Sequence, residues 1–136
     1  MYRSGRIEKK EDVDQLKQLG IKTILSLDDY GDVEGLVNSE RDWATQDNIE
    51  FIWSPMSGVD KPTLEQIYKM LDIITNTSKQ LVLIHCKRGS DRTGIMIASY
   101  RIKFDRWTVA DAKKELRSYG HKIVLYWWDD ILDEIR

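Results

Sequence analysis

One cysteine, two prolines and two histidines are all that the 136 residues hold of those three types. A single thiol cannot close an intrachain disulfide or build a zinc centre from several thiolates, which leaves a lone reactive group as the feature of interest. No apolar run is long enough to span a bilayer, and no charged start followed by an apolar stretch resembles a signal peptide. An excess of one charge sign is also missing. Twenty-one Lys plus Arg stand against 23 Asp plus Glu for a net charge of -2, which argues against non-specific nucleic-acid binding as the main task. No linker or repeat divides the chain, and its length suits one domain over residues 1–136 with a two- or three-layer core. A soluble monomer is expected, cytoplasmic if the chain is complete and periplasmic if a targeting segment once preceded Met1.

What is present alternates between helical and extended spacing. Val13, Leu16 and Leu19 recur at helical spacing over residues 11 to 19, and Gly20 ends the run. Residues 21 to 27 are apolar and β-branched enough for a strand, broken by Asp28-Asp29-Tyr30-Gly31-Asp32, and a helix is expected over 34 to 47. Ile49, Phe51 and Trp53 alternate with Glu50 and Ile52 as a short strand that Pro55 stops, and Met56 to Lys61 reads as an exposed loop. Pro62 suits the first turn of a helix carrying Leu64, Ile67, Leu71 and Ile74 on one face. Thr108 and Asp111 have capping-box spacing, Gly120 closes that helix, and Val124, Trp128, Ile131 and Ile135 form a last apolar stripe. Strands separated by helices predict an α/β fold with a largely parallel sheet. Ligands of such sheets sit beyond the carboxyl ends of the strands, where the loops at 28–32, 56–61 and 86–91 converge.

The lone cysteine stands in the most informative segment, His85-Cys86-Lys87-Arg88-Gly89-Ser90-Asp91-Arg92-Thr93-Gly94. Leu81 to Ile84 run into it as a buried strand and Thr93 onward starts a helix. A loop between strand and helix aims its amides at one point, and with the helix dipole this binds phosphate. Positive dipole ends and nearby cations favour thiolate over thiol, so Cys86 is placed to attack phosphorus. Arg92 would clamp two equatorial oxygens with its planar fork, tightening as charge builds on the transferring group. Gly89 permits the tight curvature, and the Thr93 hydroxyl can donate to the sulfur. His85 suits bracing the loop by hydrogen bonds better than proton transfer.

His-Cys, five residues, then Arg-Thr-Gly resembles the signature of the cysteine-dependent protein tyrosine phosphatase superfamily. The start Tyr2-Arg3-Ser4-Gly5 and the run Leu16 to Leu25 look like the opening of its compact dual-specificity class. Met56-Ser57-Gly58 and Trp107 add a likeness to bacterial tyrosine phosphatase-like proteins and to the plant and fungal atypical dual-specificity phosphatases. The resemblance implies a central four- or five-stranded sheet flanked by helices, a cysteinyl-phosphate intermediate, and an acid from the loop before the Pro62 helix. Asp60 is the one carboxylate of that loop, although it lies several residues after Pro55, and a cap beside Pro62 is its other reading. Asp91 is the rival acid, its Gly-x-Asp-Arg-Thr order resembling the loop of myotubularin-type phosphatases, with pairing or loop shaping as its alternative. Asp28 and Asp29 are a third choice beside their ordinary role as solvated turn residues.

Lys87 and Arg88 give a basic rim, completed as a substrate-binding loop by Gly89, Ser90, Asp91 and Thr93. A phosphorylated protein, a phosphoinositide or a polyphosphorylated inositol fits this rim, the phosphoinositide through the likeness of Lys87 to phosphoinositide-directed relatives and the inositol pyrophosphate through the plant and fungal enzymes. Five tryptophans are candidates for stacking on an aryl substrate or for the core, and Trp127-Trp128 for a partner surface. His121 and Lys122 follow a helix end with no second histidine nearby, so neither a metal nor another cofactor is expected. A phosphate-binding pseudophosphatase is the non-enzymatic alternative and a sulfurtransferase a second enzymatic one. Retention of both Cys86 and Arg92 speaks against the former, Arg92-Thr93-Gly94 against the latter.

Overall fold

The computed structural model describes residues 1–31, 33–57, 60–119 and 123–136, and for 123–128 the backbone alone. Strands β1 (Tyr2–Ser4), β2 (Thr23–Ser26), β3 (Glu50–Trp53) and β4 (Val82–His85) form one sheet in the order β1-β4-β2-β3, every neighbouring pair parallel. Parallel neighbours need crossover connections. Helices α1 (Lys10–Gln18), α2 (Leu36–Gln46) and α3 (Leu64–Thr75) supply them, followed by α4 (Arg92–Phe104) and α5 (Val109–Ser118). This is the expected α/β architecture.

The sheet is covered on both faces, which explains the unbroken apolar run in β4. Val82 and Ile84 point into a core shared with Ile67, Leu71, Ile95 and Met96 of α3 and α4. Leu83, facing the other way, packs with Ile24, Val13 and Ala44 beside α1 and α2. Ile131, Leu132 and Ile135 of the terminal segment join the larger core. That segment winds as a 3-10 helix over Ile123–Glu134. The side chains of Val124, Trp127 and Trp128, and Gly120 as a helix stop, lie outside the described residues. Among the described residues no helix is long and apolar enough to cross a membrane.

Four local expectations are corrected. Leu19 is exposed, because α1 ends at Gln18 and Leu19 is its C-cap before Gly20 at φ +85. Pro62 lies before α3 and not in its first turn. Thr63 is the N-cap there, its hydroxyl taking the Gln66 amide while the Gln66 side chain accepts from the Thr63 amide. At α5 the Thr108 hydroxyl accepts from the Asp111 amide, half of the box expected there. Met56 is buried, since its amide donates to the Leu27 carbonyl and draws the start of that loop onto the sheet end.

Register places the site. Ser4 of β1 and Ser26 of β2 both lie opposite His85, so Cys86 leaves the sheet between two strand ends.

Candidate active site

The segment from Cys86 to Asp91 bridges β4 and α4. The thiol is 2% exposed, and the Gly89 amide donates to its sulfur at 3.3 Å. Residues around β1 hold the loop from outside, the Arg6 amide on the Lys87 carbonyl at 2.9 Å and the Arg3 guanidinium on the Gly89 carbonyl at 2.6 Å. Gly89 has φ +79, and a Cβ there would stand 2.7 Å from the Ser4 carbonyl oxygen. Conformation and space both require glycine. Gly89→Ala should therefore cost about 2–4 kcal/mol from strain and overpacking together, read as a lower urea midpoint, with a kcat loss beyond tenfold.

Arg92, the first residue of α4, is 6% exposed and turns back to donate from Nη1 to the Met56 carbonyl at 3.1 Å. The same nitrogen is 3.8 Å from Asp29 Oδ2. Ser90, Asp91 and Thr93 are buried; Lys87 and Arg88 are exposed. The Asp91 carboxylate accepts from Arg88 at 2.9 Å. Thr93 Oγ1, expected to donate to the sulfur, has no hydrogen-bond partner among the described residues. Asp60 is exposed and its amide donates to Ser57 Oγ at 2.9 Å. No hydrogen bond or ion pair among the described residues joins its carboxylate to Cys86 or Arg92. His121 and Lys122 lie outside the described residues, among which no three His, Cys, Asp or Glu side chains gather to hold a metal.

Behind the loop lies a buried polar chain that the sequence did not reveal. His85 Nε2 meets Glu40 Oε2 at 2.7 Å, and Nδ1 lies 3.2 Å from the Cys86 carbonyl. The Tyr30 hydroxyl donates to Glu40 Oε1 at 2.7 Å, so its oxygen accepts from Ser26 Oγ at 2.6 Å. Burial, then the Glu40 charge, push the Tyr30 pKa far above the usual tyrosine range, so the hydroxyl stays a donor. One signal for this chain was available. Leu36, Glu40 and Ala44 share the buried face of α2, and a carboxylate within an apolar stripe needs a partner.

Asp28 is also buried, gripped by Arg6 through Nε at 2.6 Å and Nη2 at 2.9 Å, and it accepts the Tyr30 amide at 3.0 Å. Burial alone would raise its pKa, but the Arg6 and Tyr30 hydrogen bonds and the Arg6 and Arg92 charges outweigh this and hold it below the ordinary 3.8. A depressed carboxylate contributes stability above its unfolded value and loses it as pH falls through the folded one. Melting temperature should thus drop progressively below pH 3.8. Asp28→Asn should be less stable at neutral pH and flatter across that acid range. An unchanged acid slope would rule out Asp28 as its source. Trp53 completes this wall, its indole N–H donating to the Asp28 carbonyl at 2.7 Å while the residue stays 39% exposed.

A cysteine under a strand-to-helix loop, with an arginine folded back from the helix start and a parallel sheet beneath, defines the cysteine-dependent tyrosine phosphatase-like class. Residues 1–106 match the family model described as polymorphic toxin system, DSP-PTPase phosphatase, and the chain belongs to that family. It is similar to the dual specificity protein phosphatase TpbA of Pseudomonas aeruginosa, 27% identical over 122 residues that cover 88% of this chain and 51% of that protein. Similarity extends to phosphatidylglycerophosphatase and protein-tyrosine phosphatase 1 of Homo sapiens, 24% identical over 106 residues, 74% of this chain and 53% of the other. The chain thus spans about half the length of these curated relatives. Among solved structures, the core catalytic domain of a PP-IP phosphatase from S. cerevisiae superposes with a TM-score of 0.82 at 24% identity, covering 98% of this chain and 79% of that one. At that identity the likeness is one of fold.

Proposed function

We propose that residues 1–136 form one catalytic domain that hydrolyses phosphomonoesters through a phosphocysteine, acting on phosphotyrosine and phosphoserine or phosphothreonine in proteins. The observation that carries this reading is the Gly89 amide on the Cys86 sulfur with Arg92 folded back beside the loop. In the mechanism, the thiolate attacks phosphorus in line with the leaving oxygen while loop amides and Arg92 bind the equatorial oxygens. A carboxylic acid protonates the leaving group, and its conjugate base then activates the water that frees phosphate and restores the thiolate.

Asp91 favours a protein phosphomonoester over a polyanion. It draws Arg88 into a pair within the loop, which lowers the positive charge offered to a second phosphate. Polyphosphorylated inositol is the second reading, favoured by the exposure of Lys87 and Arg88 on the rim and by the fold shared with the PP-IP phosphatase core. Phosphotyrosine and phosphothreonine peptides, a phosphoinositide and an inositol pyrophosphate should be compared at equal concentration in the presence of a chelator and a thiol reductant. Peptide turnover is expected to dominate and to persist in the chelator. Turnover of the inositol compounds alone would transfer the assignment to the second reading.

A further inference from the structure

Four aspartates lie in the loops beyond the strand ends, and two of them are held by arginines while a third has no contact with the nucleophile among the described residues. Asp28 is fully buried and held bidentately by Arg6. Asp91 is buried and bonded to Arg88. Asp60 follows β3, which is one strand further from β4 than β2 is, and its carboxylate contacts neither Cys86 nor Arg92 among the described residues.

Asp29 is different. It leaves β2, the direct neighbour of β4, with Ser26 level with His85, and its side chain is 50% exposed with Oδ2 3.8 Å from the Arg92 guanidinium. Its other oxygen accepts the Gly31 amide at 3.2 Å. Both neighbours are immobilised. Asp28 is locked as described, and Tyr30 stands at φ +54, a strained conformation for a bulky residue. The bonds of its hydroxyl to Ser26 and Glu40, and an edge contact with Trp53 at 6.0 Å between ring centroids, keep it there. Strain retained beside a reactive centre by buried hydrogen bonds fixes the residue between.

We propose that Asp29, and not Asp60, is the catalytic acid and base of this site, an assignment that rests on the phosphocysteine reading above. In the first step the Cys86 thiolate forms the S–P bond as the P–O bond to the leaving group breaks, and protonated Asp29 gives its proton to that oxygen. In the second, the Asp29 carboxylate takes a proton from water, whose oxygen bonds to phosphorus as the S–P bond breaks. Inorganic phosphate leaves, the thiolate is regenerated, and Asp29 is again protonated.

The test compares Asp29→Asn, Asp60→Asn and Cys86→Ser with native protein on p-nitrophenyl phosphate and phenyl phosphate. An acid matters most for the more basic phenoxide. Asp29→Asn should therefore lose about a hundredfold or more in kcat on phenyl phosphate and about tenfold or less on p-nitrophenyl phosphate, with Asp60→Asn unchanged on both. Asp29→Glu, which keeps the acid one methylene further out, should recover part of the phenyl phosphate rate and serves if the asparagine variant melts early. Native leaving-group dependence in Asp29→Asn, or the selective loss appearing in Asp60→Asn, would overturn the assignment while leaving the phosphocysteine intact. Turnover that survives Cys86→Ser would instead remove the phosphocysteine reading, and this assignment with it.

Discussion

Cys86→Ser should abolish turnover, with a loss of about ten-thousandfold or more, while phosphate and substrate still bind. A serine hydroxyl is almost wholly protonated at neutral pH and has no adjacent base among the described side chains that contact Cys86, so it cannot replace a thiolate nucleophile. The loop itself should survive, because the contacts that shape it, from Arg3 to the Gly89 carbonyl and from Arg6 to the Lys87 carbonyl, do not involve the sulfur. Arg92→Lys separates geometry from charge in the same assay. Lysine keeps the charge but not the planar fork, so kcat should fall about a thousandfold, and the Met56 carbonyl loses the donor that draws its loop to the site. Burst kinetics with p-nitrophenyl phosphate would check both. A Cys86→Ser protein that still releases a burst of product would show that another nucleophile is at work.

Much of this arrangement is legible in the sequence, for physical reasons that differ by residue. Cys86, Gly89 and Arg92 can be placed because strand, loop and helix signals are local and contiguous. The parallel sheet follows from alternating periodicities, and its burial on both faces from Val82 to Ile84, whereas Leu81, expected in the same buried strand, lies before β4 and is exposed. Asp29 is named by the sequence only as one of several turn acids, since its distance to Arg92 depends on which strand neighbours β4. Strand order is not a local property. Glu40 sits 45 residues before His85, and a pairing of that span leaves no periodic trace beyond one carboxylate in an apolar stripe. Arg3 and Arg6 escape notice for a similar reason, because β1 reaches the loop through a sheet neighbour far away in the chain. The Pro62 and Met56 corrections have a different origin. Proline signals a helix start without fixing its first residue, and Thr63 with Gln66 offers the better cap. A loop is assumed exposed until a tertiary partner such as Arg92 is known to need its carbonyl.

Glu40→Ala should be the most destabilising single change in the site. Glu40 is fully buried and joins two loops, accepting from Tyr30 after β2 and meeting His85 at the end of β4. Truncation leaves the His85 ring nitrogen and the Tyr30 hydroxyl facing a cavity, and each buried polar group left without a partner costs about 1–3 kcal/mol. Glu40→Gln retains an acceptor and the side-chain volume, so it should cost about 1–2 kcal/mol. Urea unfolding separates the two, the alanine variant showing a much lower midpoint at unchanged slope. Activity adds a second, independent readout at temperatures where each variant is folded. The turn holding Asp29 loses its Tyr30 anchor and the nucleophile's carbonyl loses a fixed His85, so kcat should fall more than KM rises in Glu40→Ala. Tyr30→Phe should reproduce the part of that kcat loss that belongs to the β2 loop while His85 keeps its partner. An alanine variant as stable and as fast as native protein would mean that the Ser26–Tyr30–Glu40–His85 chain fills space without positioning either loop.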